Sequence, residues 1–236
     1  SSLGAVQSKV LDLNKKKYIQ AVGIKYIPHT FWVKSIGCGL AKNKITVSEE
    51  VGIGAVGSVV RKSVLDSIGG FDEKIVHNLD DIDLGWRIWI AGYRVISVPK
   101  SITYHWTAKP ASTRNKVTPG VASEFYFQKT FRIFLKNYEW KNIFHYSPWL
   151  FMILSIRVLS NLLKGNTAPL KGYIKAFIWN IQTLQDSLIE RKRVQSLRRR
   201  SDFEIFKKIT LAGNFPHLYF HEILPLMNIS NKIFKQ

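Results

Sequence analysis

Asn78-Leu79-Asp80-Asp81-Ile82-Asp83-Leu84-Gly85-Trp86-Arg87 is the stretch on which the reading of this chain turns. Three carboxylates fall within four positions of a 236-residue protein whose formal net charge is +19. Ile82, Trp86, Trp89 and Ile90 then recur at i, i+4, i+7 and i+8, the spacing of one apolar stripe, so an amphipathic helix is expected to begin at the acidic cluster and close at Gly92. Successive helical residues lie about 100° apart, so Asp80, Asp81 and Asp83 cannot all face one ligand. Asp83 and Arg87, at i and i+4, are placed to pair on another face. Asp80 and Asp81 sit at the helix N-terminus, where unpaired amides and the dipole favour negative charge, with N-capping and direct chemistry both open to Asp80.

Working outward, residues 93–98 have strand character, Pro99 is expected to end that strand, and residues 101–106 resume as another that reaches His105. Upstream, residues 51–60 form a glycine-interrupted apolar run, followed by a short helix over 63–68 with Ser63 as N-cap and Gly69 as left-handed terminator. Gly52, Gly54 and Gly57 spell Gly-x-Gly-x-x-Gly, yet no suitable helix follows, which speaks against a dinucleotide site. Residues 3–11 and 18–27 read as strands, and 28–50 as a long surface loop. Beyond Thr107 a Pro-, Ser-, Thr- and Asn-rich linker spans 108–120. Helical patterns then cover 121–137, 148–163 and 170–200, with a further helix over 201–211 that Asn214-Phe215-Pro216 breaks.

Charge divides unevenly: residues 1–106 carry 14 Lys and Arg against 9 acids, net +5, and residues 107–236 carry 21 against 7, net +14. The single cysteine, Cys38, excludes an internal disulfide and fits a reducing compartment, with a place in the core as its ordinary role. The first residues show neither an initiator Met nor a basic segment leading into a long apolar one, so no signal peptide is expected and the start reads as that of a fragment. No stretch reaches 18 apolar residues without a charge; residues 146–163 come nearest, interrupted by Arg157.

A carboxylate at the rim of a pocket can accept a proton from a hydroxyl as that hydroxyl attacks an electrophile. His105 follows Asp81 by 24 residues and could return to the same pocket as metal ligand or hydrogen-bond donor, or sit in the core as a satisfied side chain. The ordered motifs Gly57-Ser58-Val59-Val60-Arg61, Gly69-Gly70-Phe71-Asp72-Glu73, Asp80-Asp81-Ile82-Asp83-Leu84 with Arg87, Ala91-Gly92-Tyr93-Arg94-Val95 with Pro99, and Tyr104-His105 resemble the C-terminal half of a family 2 glycosyltransferase of GT-A fold, of the rhamnosyltransferase-like kind. Gly4-Ala5-Val6-Gln7-Ser8-Lys9 resembles the strand that follows the metal-binding aspartates there, and Phe134-Leu135-Lys136-Asn137-Tyr138 the helix after the catalytic part.

The resemblance implies an α/β fold with a GT-A-like mixed sheet over 1–107, and residues 121–236 read as an all-helical, basic, membrane-associated region. It implies inverting transfer of a sugar from a nucleotide-diphosphate sugar to a hydroxyl of a lipid-linked or polysaccharide acceptor. Asp81 matches the general base, His105 matches a ligand of Mg²⁺ or Mn²⁺, and Asp80, Gly57 and Gly70 match substrate-binding positions. Asp80 stands where the family usually has Glu. The family's nucleotide-binding half with its Asp-x-Asp motif has no counterpart here, and Asp81-Ile82-Asp83 starts a helix instead of ending a strand. The chain is therefore expected to be the acceptor-side portion of a longer or split enzyme, partnered by a segment or chain that carries the other half.

For the basic half, aromatic and aliphatic faces beside Lys and Arg (Phe125, Phe131, Phe134; Trp149, Leu150, Phe151, Ile153; Ile174, Phe177, Ile178, Ile181) describe helices lying on an anionic bilayer, which places the protein peripherally on the cytoplasmic face. The same pattern describes core helices with a solvated basic side. Two other readings are a non-catalytic remnant that binds a membrane or glycan, and a nucleic-acid-binding protein. The last has no recognition-helix, zinc or RNA-binding motif behind it, so nucleic acid is not an expected partner.

Overall fold

The computed structural model describes residues 2–28, 32–54, 56–76, 79–106 and 119–211. The chain is mixed α/β, with six strands and seven helices among the described residues. Strand β1 (Leu3–Asp12) is the spine of the larger sheet. Along one edge it pairs antiparallel with β2 (Ile19–Ala21) and with β5 (Ser58–Val60); along the other it pairs parallel with β6 (Arg94–His105). A separate antiparallel hairpin joins β3 (Ile24–Ile27) to β4 (Trp32–Ser35), and only β4 lies inside the stretch expected to be loop. The expected strand over 18–27 is split in two at Gly23, whose φ of 120° turns the chain where an added Cβ would meet the Val51 side chain at 2.6 Å.

Pro99 does not end a strand. β6 runs on to His105, because the register jumps from Ser8↔Val98 to Lys9↔Ile102 and leaves Pro99, Lys100 and Ser101 in a bulge, where a residue without an N–H costs the ladder nothing. The bulge and the strand's length return His105 opposite Asp12, at the far end of β1 from Leu3.

Helix α1 (Lys62–Ile68) has Arg61 as N-cap, without a side-chain cap from Ser63, and ends at the left-handed Gly69 as expected. Helix α2 (Asp80–Ile90) begins at the acidic cluster, and Gly92 with φ 87° follows its last turn. It is not amphipathic: every residue from Ile82 to Ile90 is buried. Trp86 stacks on Tyr138 at 5.0 Å and meets Tyr26 edge-on at 4.5 Å, and Trp89 donates its indole N–H to the Val51 carbonyl at 3.0 Å. Gly85 lets α2 approach the backbone of the glycine run, since a Cβ there would lie 3.1 Å from the Ile53 nitrogen.

The helices that follow are α3 (Pro119–Asn137), α4 (Trp140–Leu163), α5 (Thr167–Gln182), α6 (Leu184–Ser196) and α7 (Asp202–Ile209). The expected linker lies outside the described residues apart from Pro119 and Gly120, which are already helical. The side chain of Phe125 and the expected break at 214–216 also lie outside them. α4 starts eight residues before the expected helix and takes Pro148 into its interior. The helix expected over 170–200 is two, divided at Thr183. One apolar core draws on both halves of the sequence: Phe134, Tyr138, Leu150, Val194, Ile205 and Ile209 pack with Ile24, Tyr26, Trp86 and Val95. Cys38 is exposed and not in the core; it sits between Gly37 and Gly39, both at positive φ.

Residues 191–200 hold a dense basic run, Arg191-Lys192-Arg193 and Arg198-Arg199-Arg200, and much of it is consumed by capping. Arg191 donates to the Leu135 and Tyr138 carbonyls and Arg198 to the Asn137 carbonyl, at the C-terminal end of α3. Arg193 reaches the Ile68 carbonyl of α1 at 2.8 Å, and Arg200 reaches those of Gly92 and Tyr93 just after α2. A helix C-terminus leaves its last carbonyls without intrahelical partners, and a guanidinium answers both that need and the dipole. Several helix ends share these arginines, so their number follows from the fold.

Candidate functional site

Asp81 and His105 line one cavity of about 250 Å³, together with Gln7, Gln20, Ser35 and Gly54, over an apolar floor that includes Val10, Ile24, Val33 and Ile82. Six separate pieces of chain build it: β1, β2, the β3–β4 hairpin, the glycine run, the first turn of α2 and the last residue of β6. The volume lies below the roughly 300–1,000 Å³ usual for a whole drug-sized ligand, so it suits one ring of a substrate better than an entire nucleotide sugar.

Asp81 owes its position to Leu79. Leu79 is the N-cap of α2 and adopts φ 68°, the one non-glycine residue with positive φ among those described. This left-handed turn costs about 1–2 kcal/mol for an L residue and is tolerated where packing over-determines it. Here Leu79 lies beside Tyr26, Ile82, Trp86 and Tyr138. No side chain caps the helix, and the dipole of its first turn favours the ionised carboxylates of Asp80, Asp81 and Asp83. Asp80 is therefore not an N-cap. It lies outside the cavity lining and acts electrostatically on Lys129, which donates to the Val76 carbonyl.

Asp83 turns the opposite way, into the protein. Its carboxylate takes Arg87 Nε at 2.8 Å, Lys136 Nζ at 2.9 Å and Asn137 Nδ2 at 2.9 Å, all of them buried. Burial pushes this carboxyl up, but the charges of Lys136 and Arg87 with the hydrogen bonds from Lys136 and Asn137 outweigh it and hold it below the ordinary range. Lys136 continues to Asp72, which Arg132 grips with two nitrogens at 2.9 and 3.0 Å, and Arg132 reaches Asp186 at 2.7 Å. The result is a chain of alternating charge, Arg87, Asp83, Lys136, Asp72, Arg132, Asp186, that ties α2 to α3 and α6.

His105 is half-buried, and the tautomer of its neutral ring follows from Gln20. The Gln20 amide nitrogen donates to the His105 carbonyl at 3.2 Å, so its oxygen is the atom that meets His105 Nδ1 at 2.8 Å. An amide oxygen only accepts; Nδ1 therefore carries the proton in the neutral ring, and Nε2 keeps the lone pair. Gln7, buried in the middle of β1, accepts from the Gly54 amide at 2.8 Å and donates to the Val56 carbonyl at 2.7 Å, which fastens the glycine run as the cavity wall. Neither glutamine is legible as a site residue in the sequence. The only trace of Gln7 is that it opens the polar run Gln7-Ser8-Lys9 in the middle of a strand.

Gly57 and Gly70 are also outside the lining. Gly57 has φ 73°, and a Cβ there would lie 2.3 Å from Ser8 Oγ and 2.9 Å from Thr103 Oγ1. Gly70 has φ 67° and returns its amide to the Leu65 carbonyl at the end of α1. A larger cleft, about 540 Å³, is bordered by Trp140, Arg191, Lys192 and Arg198 on the helical side, but Arg191 and Arg198 are the capping arginines.

Among the described residues no three His, Cys, Asp or Glu gather as a metal site. Of the cavity's side chains, His105 would lend Nε2 to a divalent cation, which would need further oxygens, as Mg²⁺ often takes from substrate phosphates. In comparisons with known proteins the chain matches no family model and no curated protein.

Proposed function

We propose that this chain carries the acceptor side of an inverting glycosyltransferase of GT-A-like fold, transferring a sugar from a nucleotide-diphosphate sugar to a hydroxyl of a lipid-linked or polysaccharide acceptor. The observation behind the reading is that Asp81 and His105, distant in sequence and on different elements, open on one cavity sized for a single ring. The parallel pair β1 and β6, with β5 across β1, is on this reading the acceptor-side part of the GT-A sheet.

Asp81 is the base. As the acceptor oxygen attacks the anomeric carbon, the carboxylate removes the hydroxyl proton; the bond from that carbon to the diphosphate oxygen breaks on the opposite face, and the electron pair leaves with the nucleotide diphosphate. Placement in the first turn of α2 keeps the carboxylate at the cavity, and the apolar floor keeps bulk water from competing with the acceptor. Gln20 fixes the His105 tautomer so that Nε2 is the atom that would hold Mg²⁺ or Mn²⁺. When bound, such an ion supplies neutralisation of charge on the departing diphosphate. Asp83, committed to Lys136 and Arg87, takes no part, so Asp81-Ile82-Asp83 does not serve as a metal motif.

The protein carrying this segment should be incubated with a panel of labelled nucleotide-diphosphate sugars and lipid-linked or polysaccharide acceptors, with Mg²⁺ or Mn²⁺ and with EDTA. Transfer that EDTA abolishes, and that His105→Ala shifts to higher metal concentration, is expected. Transfer indifferent to EDTA, or a metal titration that His105→Ala leaves unchanged, removes His105 as a ligand; no transfer from any donor removes the reading itself.

A further inference from the structure

α4 is 24 residues long and by length and composition could cross a membrane, yet only 11% of its most apolar window is buried inside the protein. It turns Leu150 and Ile153 inward and leaves Phe144, Phe151, Leu159 and Leu162 exposed on the opposite side. α5 repeats the arrangement. Its buried residues are Pro169, Gly172 and Ala176, while Ile174, Phe177, Ile178 and Ile181, at i, i+3, i+4 and i+7, form an exposed stripe. A soluble protein rarely leaves contiguous apolar surface of this kind uncovered.

We propose that the exposed faces of α4 and α5 form a docking surface for an anionic lipid bilayer, on which both helices lie flat. Charge selects this occupant. From Trp140 to Gln185 the sequence holds five Lys and Arg and no Asp or Glu. Two copies of the surface brought together would set like charges against each other, whereas a leaflet rich in anionic lipid complements them. Lys141 and Lys175 reach flanking carboxylates only at 3.5 and 3.7 Å and stay exposed, so these pairs hold little charge back from a membrane.

The packing of α4 favours a flat arrangement over a spanning one. Tyr146 sits against the rings of Tyr138 and Phe206, and the Arg157 guanidinium lies over Tyr126 and Phe127 at 6.0 and 5.7 Å. A helix held along one side by the folded core cannot surround itself with hydrocarbon, but it can sink its other side to acyl-chain depth. The proposal stands on this surface alone, so vesicle binding and sugar transfer succeed or fail separately.

The test is sedimentation of the full chain with vesicles of phosphatidylcholine alone and with phosphatidylglycerol added, for wild type and for Leu159→Glu with Phe177→Glu. Both positions are exposed, and an unchanged thermal midpoint checks that the variant folds. Wild type is expected to sediment with the anionic vesicles, to be released by alkaline carbonate, and to lose affinity by about a hundred-fold in the variant. The proposal is overturned if wild type stays in the supernatant, if the folded variant binds equally well, or if carbonate fails to release the protein. A stable dimer that the variant converts to monomer, without vesicle binding, would assign the surface to a second copy instead.

Discussion

At the scale of single residues, three neighbouring aspartates have three different surroundings. Asp81 opens on the cavity, Asp80 stands near Lys129, and Asp83 is the buried partner of Arg87, Lys136 and Asn137. Removing one member of a buried charge network strands the others, so Asp83→Asn should cost about 3–5 kcal/mol in urea denaturation. The acid limb of the same measurement has a definite sign. Asp72 and Asp83 are held below the ordinary carboxylate range, Asp72 because hydrogen bonds and charge from Arg132 and Lys136 overcome its burial. Their stabilisation is complete above the unfolded value of about 3.9 and declines as pH falls below it, because the unfolded chain takes the protons first. Asp202, whose carboxyl burial pushes up, works in the opposite sense. Wild-type stability should thus decline below about pH 4, and Asp83→Asn should blunt that decline; equal acid dependence in both proteins would show that Asp83 contributes nothing to it. The Asp83–Arg87 contact was legible from spacing alone. Lys136 and Asn137 were not, because no local pattern connects residues more than fifty positions apart.

Among elements, α2 and the start of β6 were legible because hydrophobic spacing and glycine terminators act locally. The β3–β4 hairpin was not, since Trp32–Ser35 is too short to show an alternation, and β6 passes Pro99 only through a bulge that depends on its partner β1. The capping arginines were invisible for a different reason: their acceptors are backbone carbonyls, which leave no mark in a sequence. Gly57 holds the turn into β5 at a φ of 73°. Gly57→Ala should destabilise the protein by more than about 1 kcal/mol, from the left-handed backbone alone, and further by collision with Ser8 and Thr103, which hydrogen-bond to each other at 2.8 Å. An unchanged melting temperature with a raised KM for acceptor would instead make Gly57 a substrate contact.

On the scale of the whole molecule, the basic second half serves the first as scaffold. α3 supplies Lys136 and Asn137 to Asp83, and arginines of α6 and the residues after it close the ends of α1, α2 and α3. This arrangement stiffens α2 from behind while its first turn, with Asp81, faces the cavity. The proposed chemistry rests on that division of labour between Asp81 and Asp83. The direct measurement is sugar transfer by the protein carrying this segment, as Asp81→Asn, alongside its denaturation midpoint. The prediction is a loss of roughly 10²–10⁴-fold in turnover with the midpoint and nucleotide-sugar binding retained, as removal of a general base requires. Wild-type turnover in a folded Asp81→Asn protein would contradict it.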